Sequence, residues 1–437
     1  MKGQKVTATI LSVLFMGLGQ LFNKQFMKGI ILLVIEAASL MYFIPNLVKD
    51  LSGIITLGEQ GTHFEKVNGM TVTVAGDHSI YLMIDGLITL FLLLIVIVIY
   101  AINIRDAYRT AAIIESGQQI ISFKQTIKNM NGKSFPYILL SVPMLGVLFL
   151  TILPIIFMVM IAFTNYSMPN HIPPKSLVDW VGFQTFLDLL SLSSWSKTFF
   201  GVLTWTVIWA VLATVTCYFG GLLVALLIEQ KGIRFKKLWR TIFILPYAIP
   251  QLISLLIMRN LFNGQFGPLN EYLAMFGLGK LPWLTDPTLA KATAIFVNMW
   301  IGIPVSMVLI LGVLTAIPRD MYEAAEVDGA NAYQKFKIVT LPFVLFATAP
   351  ILITQFAGNI NNFNLIFLLT GGDPKNGSYQ FAGSTDLLVT WLYKLTLNQS
   401  QYNMASAIGI IIFIIIATLS IVNYRRTKSF KEEDMIQ

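Results

Sequence analysis

The 437-residue chain is 56% hydrophobic and only 12% charged, with a mean hydropathy of +0.72. A soluble globular domain carries about twice that share of charge, so the composition excludes a soluble protein and one with a single anchor, and describes a chain that crosses the membrane repeatedly. The net charge of +8 does not call for nucleic acid, because excess Lys and Arg in a membrane protein collect in cytoplasmic loops, and the lone Cys217 rules out an intramolecular disulfide and a cysteine-based metal centre.

Lys2 and Lys5 precede a short apolar run, residues 6–18, interrupted by Gly17. No small-x-small cleavage site follows it; Lys24 and Lys28 come next, which argues against a signal peptide. At about 13 residues the run is too short to span and reads as an interfacial or re-entrant helix. Spans are then predicted over residues 29–47, 79–102, 136–163, 202–228, 241–261, 289–316, 341–369 and 404–423. The fold class is therefore an all-α polytopic membrane protein with about eight transmembrane helices. Residues 165–199, with Pro169, Pro173, Pro174 and Trp180, read as an external lid. The fifth span contains Pro246 and Pro250.

Orientation follows from charge. With the N-terminus inside and eight spans, about 21 of the 30 Lys and Arg lie on the inner side and about 9 on the outer side, as the positive-inside rule requires. Basic inner segments hold Lys124, Lys128 and Lys133, then Lys231 to Arg240, then Arg425, Arg426 and Lys428. Both termini are then cytoplasmic. Residues 1–134 form an N-terminal part with the short helix, two peripheral spans and a cytoplasmic linker. Residues 135–437 form a core of six spans that encloses a polar cytoplasmic loop at 318–342.

That loop is the most structured polar stretch of the chain. Pro318 suits the first turn of a helix, where its missing N–H costs nothing. Residues 319–328 are mostly helix formers, and Gly329 fits the position past the helix end where a left-handed residue closes it. A helix of about ten residues is marginal alone in water, so it should be docked on something. Met321, Ala324, Ala325 and Asp328 share one face, and the alanine pair lets another surface come close.

Candidate chemistry is sparse. His63, His78 and His171 fall in predicted external loops without a partner at metal-ligand spacing,. Gly132-Lys133-Ser134 lacks the earlier glycine of a phosphate loop, since position 127 is Ile,. The chain is thus read as a non-enzyme with no cofactor, metal or nucleotide site. Glu36 and Asp85 lie inside spans, where charges are costly; they serve a proton-coupled carrier, or they face protein and headgroups. A membrane-embedded glycan hydrolase is disfavoured, because no paired acids lie at active-site depth. In the seventh span Gln355, Asn359 and Asn362 form one amide stripe flanked by Phe356 and Phe363. Amides and aromatics without charge suit a neutral polyol; they equally suit hydrogen bonds between helices. In the sixth span Gly302 and Pro304 weaken the helix near Asn298 and Trp300, either to line a cavity or for packing.

The run Glu323-Ala324-Ala325, three residues, Gly329, nine residues, then Val339-Thr340-Leu341-Pro342 resembles the signature loop of membrane subunits of binding-protein-dependent ABC importers, with Val339 in the usual Ile place. The resemblance implies a type I ABC importer permease fold. It also implies that Glu323, Ala324, Ala325, Asp328, Gly329, Leu341 and Pro342 couple to a cytoplasmic ATPase dimer, which binds ATP-Mg. From residue 135 onward, Tyr247-Ala248-Ile249-Pro250, Trp283-Leu284-Thr285-Asp286-Pro287, Gly371-Gly372-Asp373-Pro374 and Thr385-Asp386-Leu387-Leu388 resemble the MalF-type family of maltose/maltodextrin permeases. In that family two helices contact the sugar, and the resemblance places the contacts at Asn298, Ile301, Gly302, Gln355, Asn359 and Asn362. Val305 and Gly358 stand where the family has aromatic residues in the sugar site, which implies a wider or differently selective pocket. The large external domain of that family is missing, as in its compact Gram-positive relatives. The implied function is alternating-access import of maltose/maltodextrin-type oligosaccharides, or of another neutral oligosaccharide such as one derived from galactan. The implied partners are a second homologous (MalG-like) permease subunit, the ATPase dimer, an extracellular sugar-binding protein and membrane lipid, at the cell membrane of a bacterium.

Overall fold

The computed structural model describes residues 3–67, 70–118, 135–230 and 232–426. The expectations on Lys2, Lys124, Lys128, Gly132-Lys133-Ser134, Lys231 and Lys428 lie outside the described residues. Among those residues seven helices are long and apolar enough to cross a membrane, and one sharply bent pair makes an eighth candidate span. The chain divides into two compact units, Met1–Gly182 and Phe183–Gln437.

In the first unit the predicted short helix is α1, Gln4–Leu14, followed by α2, Leu18–Phe22. Two long helices follow, α3 (Phe26–Thr56) and α4 (Ser79–Glu115). At 1.5 Å per residue α4 is about 55 Å long, well beyond the roughly 30 Å hydrocarbon core. The loop between them holds a short antiparallel pair, β1 (His63–Val67) and β2 (Met70–Val74), a local addition to an otherwise helical fold. Asp77 accepts the backbone N–H groups of Gln60 (3.0 Å) and Glu59 (2.8 Å), and these bonds hold its carboxyl below the usual range,. The third span is α5 (Phe135–Val147), a π-helical turn (Leu148–Ile152) and α6 (Leu153–Ala162). Pro154 has no N–H to return to the preceding turn, and the widened turn accommodates it. Glu36 is buried, 8% exposed, while Asp85 is exposed. In the segment after α6 His171 is buried, with its ring nitrogens at 3.2 Å from the Ser167 carbonyl and 3.1 Å from that of Leu177.

The second unit opens with α7 (Gln184–Ser191) and α8 (Ser193–Glu229). The fifth span is two helices, α9 (Lys236–Ala248) and α10 (Gln251–Leu261). A short α11 (Pro268–Met275) precedes α12 (Pro287–Ala316). Asp286 caps α12 by accepting from the N–H groups of Thr288 and Leu289 (3.0 and 2.8 Å),. Then come α13 (Arg319–Val327), α14 (Ala332–Lys335) with a π-helical turn (Phe336–Thr340), and α15 (Leu341–Ile360). Pro342 sits just past that π turn, as Pro154 does in the third span. The last described elements are α16 (Phe363–Leu369), α17 (Leu388–Tyr393) and α18 (Tyr402–Arg426).

Helices α8 and α12 form the spine of this unit. A Cβ on Gly302 would lie 2.4 Å from Cys217 Sγ, and one on Gly221 2.5 Å from Ser306 Cβ, so the two backbones approach as closely as small residues permit. Trp209, Ala213, Val297 and Leu365 pack in one cluster along the spine, and Tyr218, Met307, Ile310 and Val344 in another nearer α13.

Two expectations are corrected. Helix α12 runs unbroken through Gly302 and Pro304; the broken span is the fifth, where α9 and α10 meet at 88°. The amide stripe does not lie on one helix, because the seventh span stops at Ile360 and restarts at Phe363. Asn362 caps the restart, accepting from Leu365 N–H at 3.4 Å.

Candidate functional site

The break between α9 and α10 is dictated by Pro250: the residue before a proline is pushed out of the α region, and Ile249 is extended at ψ 132°. The bend opens a cavity of about 610 Å³ within the second unit. The break supplies Tyr247 and Gln251, α8 supplies Thr214 and Cys217, α12 supplies Asn298, Ile301, Gly302 and Val305, and α15 supplies Gln355, Gly358 and Asn359. No lining residue is charged.

Five of the six sugar-contact candidates therefore meet at one cavity: Asn298, Ile301, Gly302, Gln355 and Asn359. Asn362 stands behind it, its Nδ2 3.4 Å from Asn298 Oδ1. The amides also join helices. Asn359 Nδ2 donates to Thr214 Oγ1 at 2.9 Å, Asn298 Nδ2 to Cys217 Sγ at 3.2 Å, and Gln355 Nε2 to Ser306 Oγ at 3.5 Å. The Asn359 carbonyl takes the indole N–H of Trp209 at 3.0 Å. These bonds use the amide nitrogens. The amide oxygens of Gln355 and Asn359 have no protein donor among the described residues, which leaves acceptors at an uncharged wall. Val305 and Gly358 line the same cavity.

Thr214, Tyr247 and Gln251 were not among the sequence candidates. The signal for the last two was present: Pro246 and Pro250 bracket Tyr247, and a proline pair within a span marks irregular backbone that must line a cavity or be buried in protein.

The second candidate surface is α13 and the turn after it. Gly329 has φ +76°. Its N–H donates to the Glu326 carbonyl (3.0 Å) and that of Ala330 to the Ala325 carbonyl (2.9 Å), the paired bonds of a Schellman stop. Asn331 and Gln334 form a capping box for α14,, and Lys335 pairs with Glu326 at 2.6 Å. Tyr322 donates to, or accepts from, Thr340 Oγ1 at 2.9 Å, and with Ala325 it packs against the cluster of Tyr218, Met307, Ile310 and Val344. The expected common face is thus divided: Ala325 turns inward, while Met321, Ala324 and Asp328 stay exposed together with Glu323. Leu341 and Pro342 begin α15 on the other side of the turn. No residue of α13 is buried, and Val327 is 88% exposed.

On the segment between α16 and α17, Asp386 is 1% exposed and accepts from Lys394 Nζ (2.6 Å), Gly383 N–H (2.7 Å) and Thr390 Oγ1 (2.8 Å). Burial pushes its carboxyl above the usual range, against the pull of Lys394,.

The family described as binding-protein-dependent transport system inner membrane component matches residues 218–427. The chain is 40% identical over 428 residues to the galactooligosaccharides transport system permease protein GanP of Bacillus subtilis, covering 98% of each chain. It is 37% identical over 444 residues to the maltodextrin transport system permease protein MalC of Streptococcus pneumoniae, covering 99% of this chain and 98% of that one. A solved bacterial ABC transporter involved in import of the acidic polysaccharide alginate shares the fold, with a TM-score of 0.55 and 22% identity over 70% of this chain and 99% of that one.

Proposed function

The chain belongs to the inner-membrane permease components of binding-protein-dependent ABC importers, and from that membership we propose that it forms the translocation pathway for maltose/maltodextrin-type oligosaccharides. The observation that carries the substrate class is the uncharged cavity with its amide oxygens at Gln355 and Asn359. Sugar hydroxyls donate to such oxygens, and a lining without charge gives an ion no counter-charge. Asn298, Ile301 and Gly302 complete the wall, and Asn362 fixes Asn298. The role of the cavity is to bind sugar while access alternates.

ATP is hydrolysed by a separate cytoplasmic ATPase dimer, which seats on α13. Glu323, Ala324, Ala325, Asp328 and Gly329 carry the motion, and Leu341 and Pro342 hand it to α15. A second homologous permease subunit closes the pathway, and an extracellular sugar-binding protein delivers the substrate. Both termini are cytoplasmic. Residues 1–134 form an N-terminal part and residues 135–437 the transport core.

The test is uptake by proteoliposomes that carry the chain with its cognate permease, ATPase and binding protein. The reading expects ATP-dependent uptake of labelled maltotriose, displaced by unlabelled maltodextrin. A second reading, a galactan-derived oligosaccharide, is favoured by the 40% identity with a galactooligosaccharide permease; it expects ATP-dependent uptake of labelled galactooligosaccharide and none of maltotriose. Uptake that persists without ATP and collapses in Glu36→Gln would contradict both.

A further inference from the structure

The cavity at the bent span draws its lining from two chemically different sources. Helices α12 and α15 bring amides. The nitrogens of Asn298, Gln355 and Asn359 are spent on Cys217, Ser306 and Thr214, and the oxygens of Gln355 and Asn359 stay open as acceptors. The break between α9 and α10 brings Tyr247 and Gln251. Among the described residues that line the cavity, Tyr247 alone carries an aromatic ring.

That ring is not used by the protein. Tyr247 is 63% exposed, and among the described residues no ring packs on it and its hydroxyl has no hydrogen-bond partner. By contrast, Trp205, Trp209 and Tyr218 of α8 are committed to the fold. The two indoles donate to the carbonyls of Thr385 (3.2 Å) and Asn359 (3.0 Å), and the Tyr218 hydroxyl meets Thr348 Oγ1 at 2.7 Å.

Backbone geometry holds Tyr247 in place without side-chain contacts. Pro246 before it is buried and has its φ fixed by the ring. Ile249 after it is extended, and Pro250 follows. The tyrosine is rooted between two rigid points. With only two side-chain torsions it loses little freedom when a ligand covers it. A tyrosine at headgroup level anchors a span; one that lines an uncharged cavity beside open amide acceptors has a ring face to offer a ligand.

We propose that Tyr247 is the stacking platform of the cavity: the C–H face of one sugar ring lies on its phenol ring while hydroxyls at the sugar's rim donate to the oxygens of Gln355 and Asn359. A sugar ring is polar at its edge and apolar on its faces. Amides alone hold any polyol, and the aromatic face adds a preference for a closed ring. This role presupposes the sugar-transport reading, and within it selects cyclic sugars over open-chain polyols.

The test uses the chain assembled with its cognate permease and ATPase in nanodiscs, without the binding protein. NMR reads saturation transfer from aromatic protein protons to the trisaccharide that the uptake assay selects, maltotriose or galactotriose. In the unsubstituted complex the transfer should fall on the C–H groups of one sugar face, and sorbitol should receive none. Tyr247→Phe should keep the transfer, and Tyr247→Leu, apolar but without an aromatic face, should lose it. Four results would each overturn the stacking role and leave the sugar reading standing: unchanged transfer in Tyr247→Leu; equal loss in Tyr247→Phe, which makes the hydroxyl the contact; equal transfer to trisaccharide and sorbitol; or release of the second permease from the Tyr247→Leu complex, which makes the ring a subunit contact. No transfer to the trisaccharide from any proton of the unsubstituted complex would overturn both.

Discussion

Gly329→Val is expected to reduce ATP-driven uptake about tenfold or more while leaving ATP hydrolysis in place. The residue holds φ +76°, a conformation that costs a non-glycine residue roughly 1–2 kcal/mol and a β-branched one more. About 1.4 kcal/mol is a factor of ten. A valine relieves the strain by undoing the Schellman stop, and the bonds from Gly329 and Ala330 to Glu326 and Ala325 go with it. Helix α13 then loses its fixed angle to α14 and α15. No atom of the chain lies within 4 Å of a Cβ built on Gly329, so crowding inside this subunit is not the cause. Two companion variants separate backbone from contact. Gly329→Asn, which tolerates the left-handed region, should retain most uptake if conformation is what matters. Equal loss in Asn and Val variants would mean that a partner surface touches the glycine itself. Uptake and ATPase rates measured on the same proteoliposomes check this.

Gly358→Trp is expected to abolish sugar uptake with the assembled complex intact. Gly358 lines the cavity, and a Cβ there meets nothing within 4 Å, so the indole extends into the space a sugar would use. Gly302 offers a contrast on the facing wall. Its Cβ would lie 2.4 Å from Cys217 Sγ, so Gly302→Val parts α8 from α12 and lowers stability before it blocks anything. Gly358→Ala should transport nearly normally, and Gly358→Tyr should shift preference toward shorter chains. Labelled-sugar uptake by a graded series of chain lengths measures both. Normal uptake in Gly358→Trp would remove the cavity from the pathway.

Much of this architecture was legible from hydropathy and charge. Eight apolar stretches became seven long helices and one bent pair, and Gly329 closes α13 where the sequence expected a left-handed stop. The misses share a physical cause: periodicity reads the side-chain face and is blind to where the backbone breaks. Gln355, Asn359 and Asn362 keep the spacing of one helix face across a break at Asn361, because Asn362 serves as a cap and not as a stripe member. Gly302 and Pro304 looked like breakers, yet a proline in a span can be carried without interrupting the helix when neighbours satisfy the backbone, and α12 is packed along its length by α8. The β-hairpin was readable in the alternation Met70-Thr71-Val72-Thr73-Val74 after Asn68-Gly69, a strong turn signal, but the polar composition of the loop masked it. Ala325 turned inward because α13 docks on its own subunit through Tyr322 and Thr340, a tertiary contact that no local pattern encodes. Five of the six residues placed by the family resemblance line the cavity, whereas Tyr247 and Gln251 reach it only through the backbone break at Pro250.

Coupling to ATP hydrolysis requires that α13 touch a nucleotide-hydrolysing partner. A photo-cross-linker on Val327→Cys, exposed on the free side of the helix, should form an adduct with a nucleotide-hydrolysing subunit in intact membranes and resist a membrane-impermeant thiol reagent added from outside the cell. An adduct with no ATPase, or modification of Val327→Cys from the exterior, would contradict it.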